Sequence, residues 1–97
     1  MNPARTRRQE IIERLREEEW VFDDLRHELA LTVRTLEDDL THIQRSVKIN
    51  GERLRVRSAV CADCGFQLSS NALHPPGRCP NCRSVNLDGP WLIIAKL

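Results

Sequence analysis

Four cysteines fall between residues 61 and 82 of the 97-residue chain, as Cys61-x2-Cys64 and Cys79-x2-Cys82 with fourteen residues between the pairs. A C-x-x-C turn presents two sulfurs on one side of a tight loop, and two such turns supply the four soft donors that Zn²⁺ takes in a tetrahedron at about 2.3 Å. Gly65 after the first pair lets the backbone turn back with its amides aimed at the sulfurs, and Pro80 stiffens the second pair. A quartet of cysteines leaves no coordination position open, so the expected ion is one structural Zn²⁺ per chain. Two disulfides, an iron centre and a redox dithiol are the alternatives. His74 lies between the pairs as a spare donor that four sulfurs make unnecessary.

No stretch reaches the ~18 apolar residues of a membrane span, and the three arginines by Arg8 are followed by no apolar signal-peptide core. The expectation is a cytoplasmic protein with no membrane partner, where thiols stay reduced and metal binding outcompetes disulfides. From Cys61 onward the chain loses helical periodicity, and Gly65, Pro75, Pro76, Gly77, Pro80, Gly89 and Pro90 punctuate it. Short strands are expected around 59–60, 66–68, 85–87 and 92–95. So small a unit cannot bury enough surface to fold unaided, whereas metal binding worth about 10–16 kcal/mol apparent would supply the missing stability.

The elements before the cysteines read helix, helix, helix, hairpin. Thr6 with Gln9 makes a capping box for a first helix carrying Ile11, Ile12 and Leu15 and ending near Trp20. A second helix covers roughly 22–29, with Asp23 and Asp24 in its first turn. After a short turn, Thr32 caps a third helix whose stripe is Val33, Leu36, Leu40, Ile43 and Val47. Asn50-Gly51 then reads as a two-residue hairpin turn. In that register Val47, Ile49, Leu54 and Val56 share one face, and Lys48, Arg53, Arg55 and Arg57 share the other. The predicted domains are 1–60 and 61–97, rigidly coupled because no linker separates them.

A helix-turn-helix followed by a hairpin wing places its third helix in the DNA major groove. Opposite the apolar stripe lie Arg34, Thr35, Asp38, Thr41, His42 and Arg45. Arginine suits guanine edges and phosphates, threonine suits phosphates or a thymine methyl, and Asp38 can accept from cytosine. The row Lys48, Arg53, Arg55 and Arg57 suits phosphates or the minor groove. The net charge of +1 excludes a generic polyanion binder, and residues 47–60 hold a local excess of three positive charges. Against this, Glu37, Asp38 and Asp39 are consecutive acids on the helix that would face DNA. A solvated or protein-facing helix is the competing interpretation. His27 and His42 read as ordinary surface residues. No nucleophile–base pair, phosphate loop or open metal site is visible, so no enzyme is expected.

The stretches L-T-V-R-T-L-E-D-D-L-T-H-I at 31–43, C-A-D-C-G-F at 61–66, R-C-P-N-C-R-S at 78–84 and G-P-W-L-I-I at 89–94 resemble small prokaryotic, mainly archaeal, predicted transcriptional regulators in which a helix-turn-helix is fused to a zinc ribbon. The C-G-F and C-P-N-C turns are similar to those of rubredoxin, although Arg83 stands where a second glycine would be. The T-V-R start of helix three is similar to DeoR-type recognition helices, departing from them at Thr35, Glu37 and Asp38, and Ala30 replaces the glycine common in such turns. The resemblance implies an α+β protein: a winged helix-turn-helix of three helices and a hairpin wing, then a rubredoxin-like zinc ribbon. It implies a transcriptional regulator that binds double-stranded DNA. The alternative is an adaptor of the transcription machinery, similar to archaeal transcription factor E, whose partner is RNA polymerase or another transcription component. Residues 1–20 offer a helix for homodimerisation.

Overall fold

The computed structural model describes residues 6–68 and 77–97. Thr6 caps α1 (Arg7–Glu17): its hydroxyl accepts from the Gln9 amide at 3.2 Å, and the Gln9 side chain accepts from the Thr6 amide at 3.0 Å. This satisfies two backbone donors that a helix start leaves orphaned. Ile11 and Leu15 of α1 are fully buried. A two-residue strand β1 (Trp20–Val21) leads into α2 (Phe22–Glu28), which buries Phe22 and Leu25. Ala30 adopts a left-handed conformation (φ 54°) that stops α2, with the Leu31 amide reaching back to the Arg26 carbonyl at 2.9 Å. Thr32 then caps α3 (Val33–Ile49) through the Thr35 amide at 3.1 Å. The stripe of α3 buries Leu36, Leu40, Ile43 and Val47 against the other helices. No described helix is long and apolar enough to cross a membrane.

The predicted hairpin at Asn50-Gly51 does not form. Residues 47–49 remain helical, with Val47 buried in the stripe and Ile49 87% exposed. Asn50 is the C-cap, and Gly51 (φ 74°) is the left-handed residue beyond it, its amide donating to the Lys48 carbonyl at 3.1 Å. A hairpin turn and a helix stop both call for glycine at positive φ, so Asn-Gly fits either. The helical period, continuous through Val47, decides for the stop. Lys48 therefore belongs to α3 and not to a wing strand.

The strand after the turn, β2 (Glu52–Arg57), does keep the predicted alternation: Leu54 is buried, Val56 is half-buried, and Arg53, Arg55 and Arg57 are exposed. Its partner is β5 (Trp91–Lys96), antiparallel, with Leu54 opposite Ile94 and Val56 opposite Leu92. β1 pairs with the other edge of β5, giving the sheet order β1-β5-β2. Leu92 and Ile94 thus enter the same core as Ile11, Phe22 and Leu40. The chain that leaves the sheet after Arg57 builds the cysteine lobe, including β3 (Val60–Cys61) and β4 (Leu87–Asp88), and returns as β5. The expected boundary at residue 60 consequently divides the sequence but not the packed core.

Candidate metal centre and basic surface

The two C-x-x-C turns have the same backbone construction. In the first, the Cys61 amide donates to the Phe66 carbonyl (2.9 Å) and the Gly65 amide to the Cys61 carbonyl (2.9 Å). In the second, the Cys79 amide donates to the Ser84 carbonyl (2.8 Å) and the Arg83 amide to the Cys79 carbonyl (2.8 Å). Both loops close through a left-handed residue, Gly65 at φ 76° and Arg83 at φ 63°. The second knuckle therefore takes the backbone shape of the first despite its missing glycine.

These loops bring all four sulfurs within 4.8 Å of one another. The Cys61 and Cys82 sulfurs are 3.5 Å apart and those of Cys64 and Cys79 are 3.7 Å apart. A tetrahedron with 2.3 Å metal–sulfur bonds has edges of about 3.8 Å, so the donor set fits a single metal ion. Cys61 and Cys79 are buried, whereas Cys64 and Cys82 are exposed. His74 lies outside the described residues.

Asn81 ties the knuckles together, its backbone amide donating to the Cys79 sulfur (3.4 Å) and its side chain to the Cys64 sulfur (3.5 Å). The Asn81 side chain is the main reason that the metal-free Cys64 thiol is drawn down to about 6, because a donor hydrogen bond favours the thiolate. At Cys82 the Ser84 backbone hydrogen bond also draws the thiol down, yet the neighbouring sulfurs, chiefly those of Cys61 and Cys64, push it up to about 12. One bare negative charge is accepted and a second beside it is resisted, which is the electrostatic situation a divalent cation relieves. A second tie runs from Ser84 Oγ and Asn86 Nδ2 to the Asp63 carboxylate, the latter at 3.2 Å. Neither Asn81 nor Asp63 carried a distinguishing signal in the sequence beyond lying inside the C-x-x-C turns.

The exposed face of α3 carries Arg34, Asp38, Thr41, His42 and Arg45, with Thr35 half-buried beside them. The two threonine hydroxyls are partly engaged by the helix itself. Thr35 accepts from the Thr32 hydroxyl at 2.9 Å, and Thr41 donates to the Glu37 carbonyl at 3.0 Å. Asp39 leaves the acidic run altogether. It is fully buried, with Oδ1 accepting from Arg7 and Arg8, each at 3.0 Å, and Oδ2 accepting from Arg7 Nε. The Arg7 hydrogen bond is the largest influence holding its carboxyl below the ordinary range. Its helical position, three residues after Leu36 and four before Ile43, already lay on the buried stripe. Periodicity alone could have found it.

Carboxylates also occupy most of the other N-terminal arginines: Arg14 contacts Glu10 and Glu28, Arg16 contacts Glu52, and Arg26 contacts Asp23. Arg57, the last of the predicted row, contacts Glu19 at 2.9 Å and lies 4.0 Å over the Trp91 ring. Arg34, Arg45, Lys48, Arg53 and Arg55 have no carboxylate partner among the described residues. Among the described residues, α3 and β2 carry five cations without a carboxylate partner, and Arg78, Arg83 and Lys96 are three more elsewhere.

The family model described as PF0610-like, N-terminal matches residues 6–55, slightly more than half of the chain. Among solved structures, the solution NMR structure of protein PF0610 from Pyrococcus furiosus is similar over 100% of this chain and 95% of that chain, at 27% sequence identity and a TM-score of 0.77. A comparison with curated proteins finds no match. The chain belongs to the PF0610-like family.

Proposed function

We propose that this chain is a transcriptional regulator that binds double-stranded DNA through a winged helix-turn-helix, with one zinc ion held structurally by Cys61, Cys64, Cys79 and Cys82. The element order α1-β1-α2-α3-β2 with sheet order β1-β5-β2 supports a winged helix. In this reading the metal lobe occupies the connection between β2 and β5, where a simple wing would have only a loop. The observation that carries the DNA assignment is the division of cations. Arginines of α1 are neutralised internally, while Arg34, Arg45, Lys48, Arg53 and Arg55 are left to find anions elsewhere. Burial of Asp39 between Arg7 and Arg8 removes one of the three acids that would oppose DNA.

In this reading α3 enters the major groove, Arg34 and Arg45 meet guanine edges or phosphates, and Asp38 discriminates for cytosine. Thr35, Thr41 and His42 lie at the same contact, and Arg53 and Arg55 approach phosphates along β2. Arg57 keeps a positioning part by stacking on Trp91. Zinc suits the site because four thiolates satisfy its coordination and leave no open position for chemistry. No enzymatic role is assigned.

The test is fluorescence anisotropy of the metal-loaded chain against duplexes of several sequences. Arg53→Glu combined with Arg55→Glu is expected to weaken every duplex alike, because phosphate contacts carry no sequence information. Arg34→Ala is expected to cost about 1–3 kcal/mol on preferred sequences only. If no duplex binds at about 50 mM salt while an RNA polymerase component is retained, the adaptor reading replaces this one.

A further inference from the structure

Between the C-terminal half of α3 and the start of β2 lies a groove of about 640 Å³, lined by Gln44, Arg45, Lys48, Arg53, Leu54 and Leu97. It exists because α3 runs on to Ile49: Arg45 and Lys48 then share a helical face, three residues apart, and meet Arg53 from the adjoining strand. In a hairpin at Asn50-Gly51, Lys48 and Arg53 would have stood in a row along one sheet face instead, apart from Arg45 on the helix.

No aspartate or glutamate side chain lines the groove, and among the described residues none of its three cations is paired with an acidic side chain or with the Leu97 carboxylate at the groove's edge. Glu52, next to Arg53 in sequence, is engaged by Arg16 at 2.6 Å. The C-terminal dipole of α3 supplies about half a negative charge, which offsets only part of three positive ones. A concave surface of one sign focuses the field and concentrates anions. The volume lies within the ~300–1,000 Å³ usual for ligand sites. Two guanidinium forks match the geometry of a phosphate, Lys48 adds a point charge, and the Gln44 amide adds a neutral donor.

We infer that this groove is a phosphate-binding site, in which Arg45 and Arg53 grip one phosphate group and Lys48 with Gln44 completes its shell. The phosphate is either a backbone diester of bound DNA, which rests on the function proposed above, or belongs to a free phosphorylated ligand, which does not.

The experiment titrates the metal-loaded full chain with pyrophosphate, followed by amide chemical shifts, and separately with a DNA duplex at several salt concentrations. Wild type is compared with Arg45→Gln/Arg53→Gln and with Arg78→Gln, a surface charge change on the metal lobe. Pyrophosphate is expected to shift amides of the C-terminal half of α3 and of β2. Its affinity should fall at least about tenfold in the double variant and stay unchanged in Arg78→Gln, since about 1.4 kcal/mol is tenfold. If the double variant also lowers the duplex salt slope by about two, the backbone diester is the source. Pyrophosphate binding without any duplex affinity overturns the DNA reading while the groove stands as a site for a phosphorylated ligand. Pyrophosphate that binds nowhere, or that the double variant leaves bound, overturns the groove assignment even where duplex binding persists.

Discussion

Ala30 and Arg83 hold backbone conformations that favour glycine, at φ 54° and 63°. A left-handed residue with a Cβ costs about 1–2 kcal/mol, so Ala30→Gly and Arg83→Gly are each expected to leave stability unchanged or raise it by up to about 1 kcal/mol. Gly89 points the other way. A Cβ there would lie 2.7 Å from the Trp91 ring and 3.1 Å from the Ala59 backbone, at φ 92°, so Gly89→Ala is expected to destabilise by at least about 1–3 kcal/mol. Thermal unfolding of the three metal-loaded variants reads all of this. Asp39 makes a pH prediction. Its folded pKa is depressed, so its contribution is present above the unfolded value near 3.9 and is lost as pH falls below it. Helical signal followed from pH 5 to pH 2 should show an acid-dependent loss in wild type that is smaller in Asp39→Asn, where the Arg16-paired Glu52 still titrates. At this scale the grouping of the four cysteines, close enough to hold a metal ion, was legible, because spacing alone constrains four sulfurs. Asp39 was missed because charge was weighed before helical phase, and Asn81 because second contacts to sulfur depend on three-dimensional closure.

The elements divide between those specified locally and those specified at a distance. Three helices with their caps at Thr6 and Thr32 were legible, since caps and periodicity are short-range signals. The partner of β2 was not. The alternation of Leu54 and Val56 with Arg53 and Arg55 fixed its faces, but its pairing strand lies some forty residues on, beyond any local pattern. The alternating Val47-Lys48-Ile49 offered a nearer, false partner. Helix stop and hairpin turn can be separated by mutation. With Asn50 at φ −92° as a C-cap, Asn50→Ala is expected to be nearly neutral, whereas Gly51→Ala at φ 74° should cost about 1 kcal/mol. A type I′ hairpin would penalise both, because both of its central residues need positive φ. Equal losses at the two positions would therefore contradict the observed end of α3.

For the whole molecule, the decisive feature is that the cysteine lobe lies between two neighbouring strands of one sheet. β5 leaves the lobe and places Leu92 and Ile94 in the helical core, so the metal site and the helices should unfold together. Chelation, or Cys61→Ser, is expected to lower the midpoint of helix unfolding as well as the lobe's own order. A loss of even about 2 kcal/mol would move it by roughly 8–16 °C in a chain of this size. Helices that melt unchanged without metal would contradict this coupling. The same arrangement fixes β2 beside α3, so that Arg34, Arg45, Lys48, Arg53 and Arg55 face solvent from one rigid unit. Charge patterning in the sequence located these cations, but only packing separates them from the arginines already neutralised. Duplex affinity measured from about 50 to 200 mM salt tests their role most directly. With four to five phosphates neutralised, log Kobs against log salt should fall with a slope near −3.6 to −4.5, at roughly 0.9 per phosphate. Affinity that is absent at 50 mM, or a slope near zero, would contradict DNA binding through this surface.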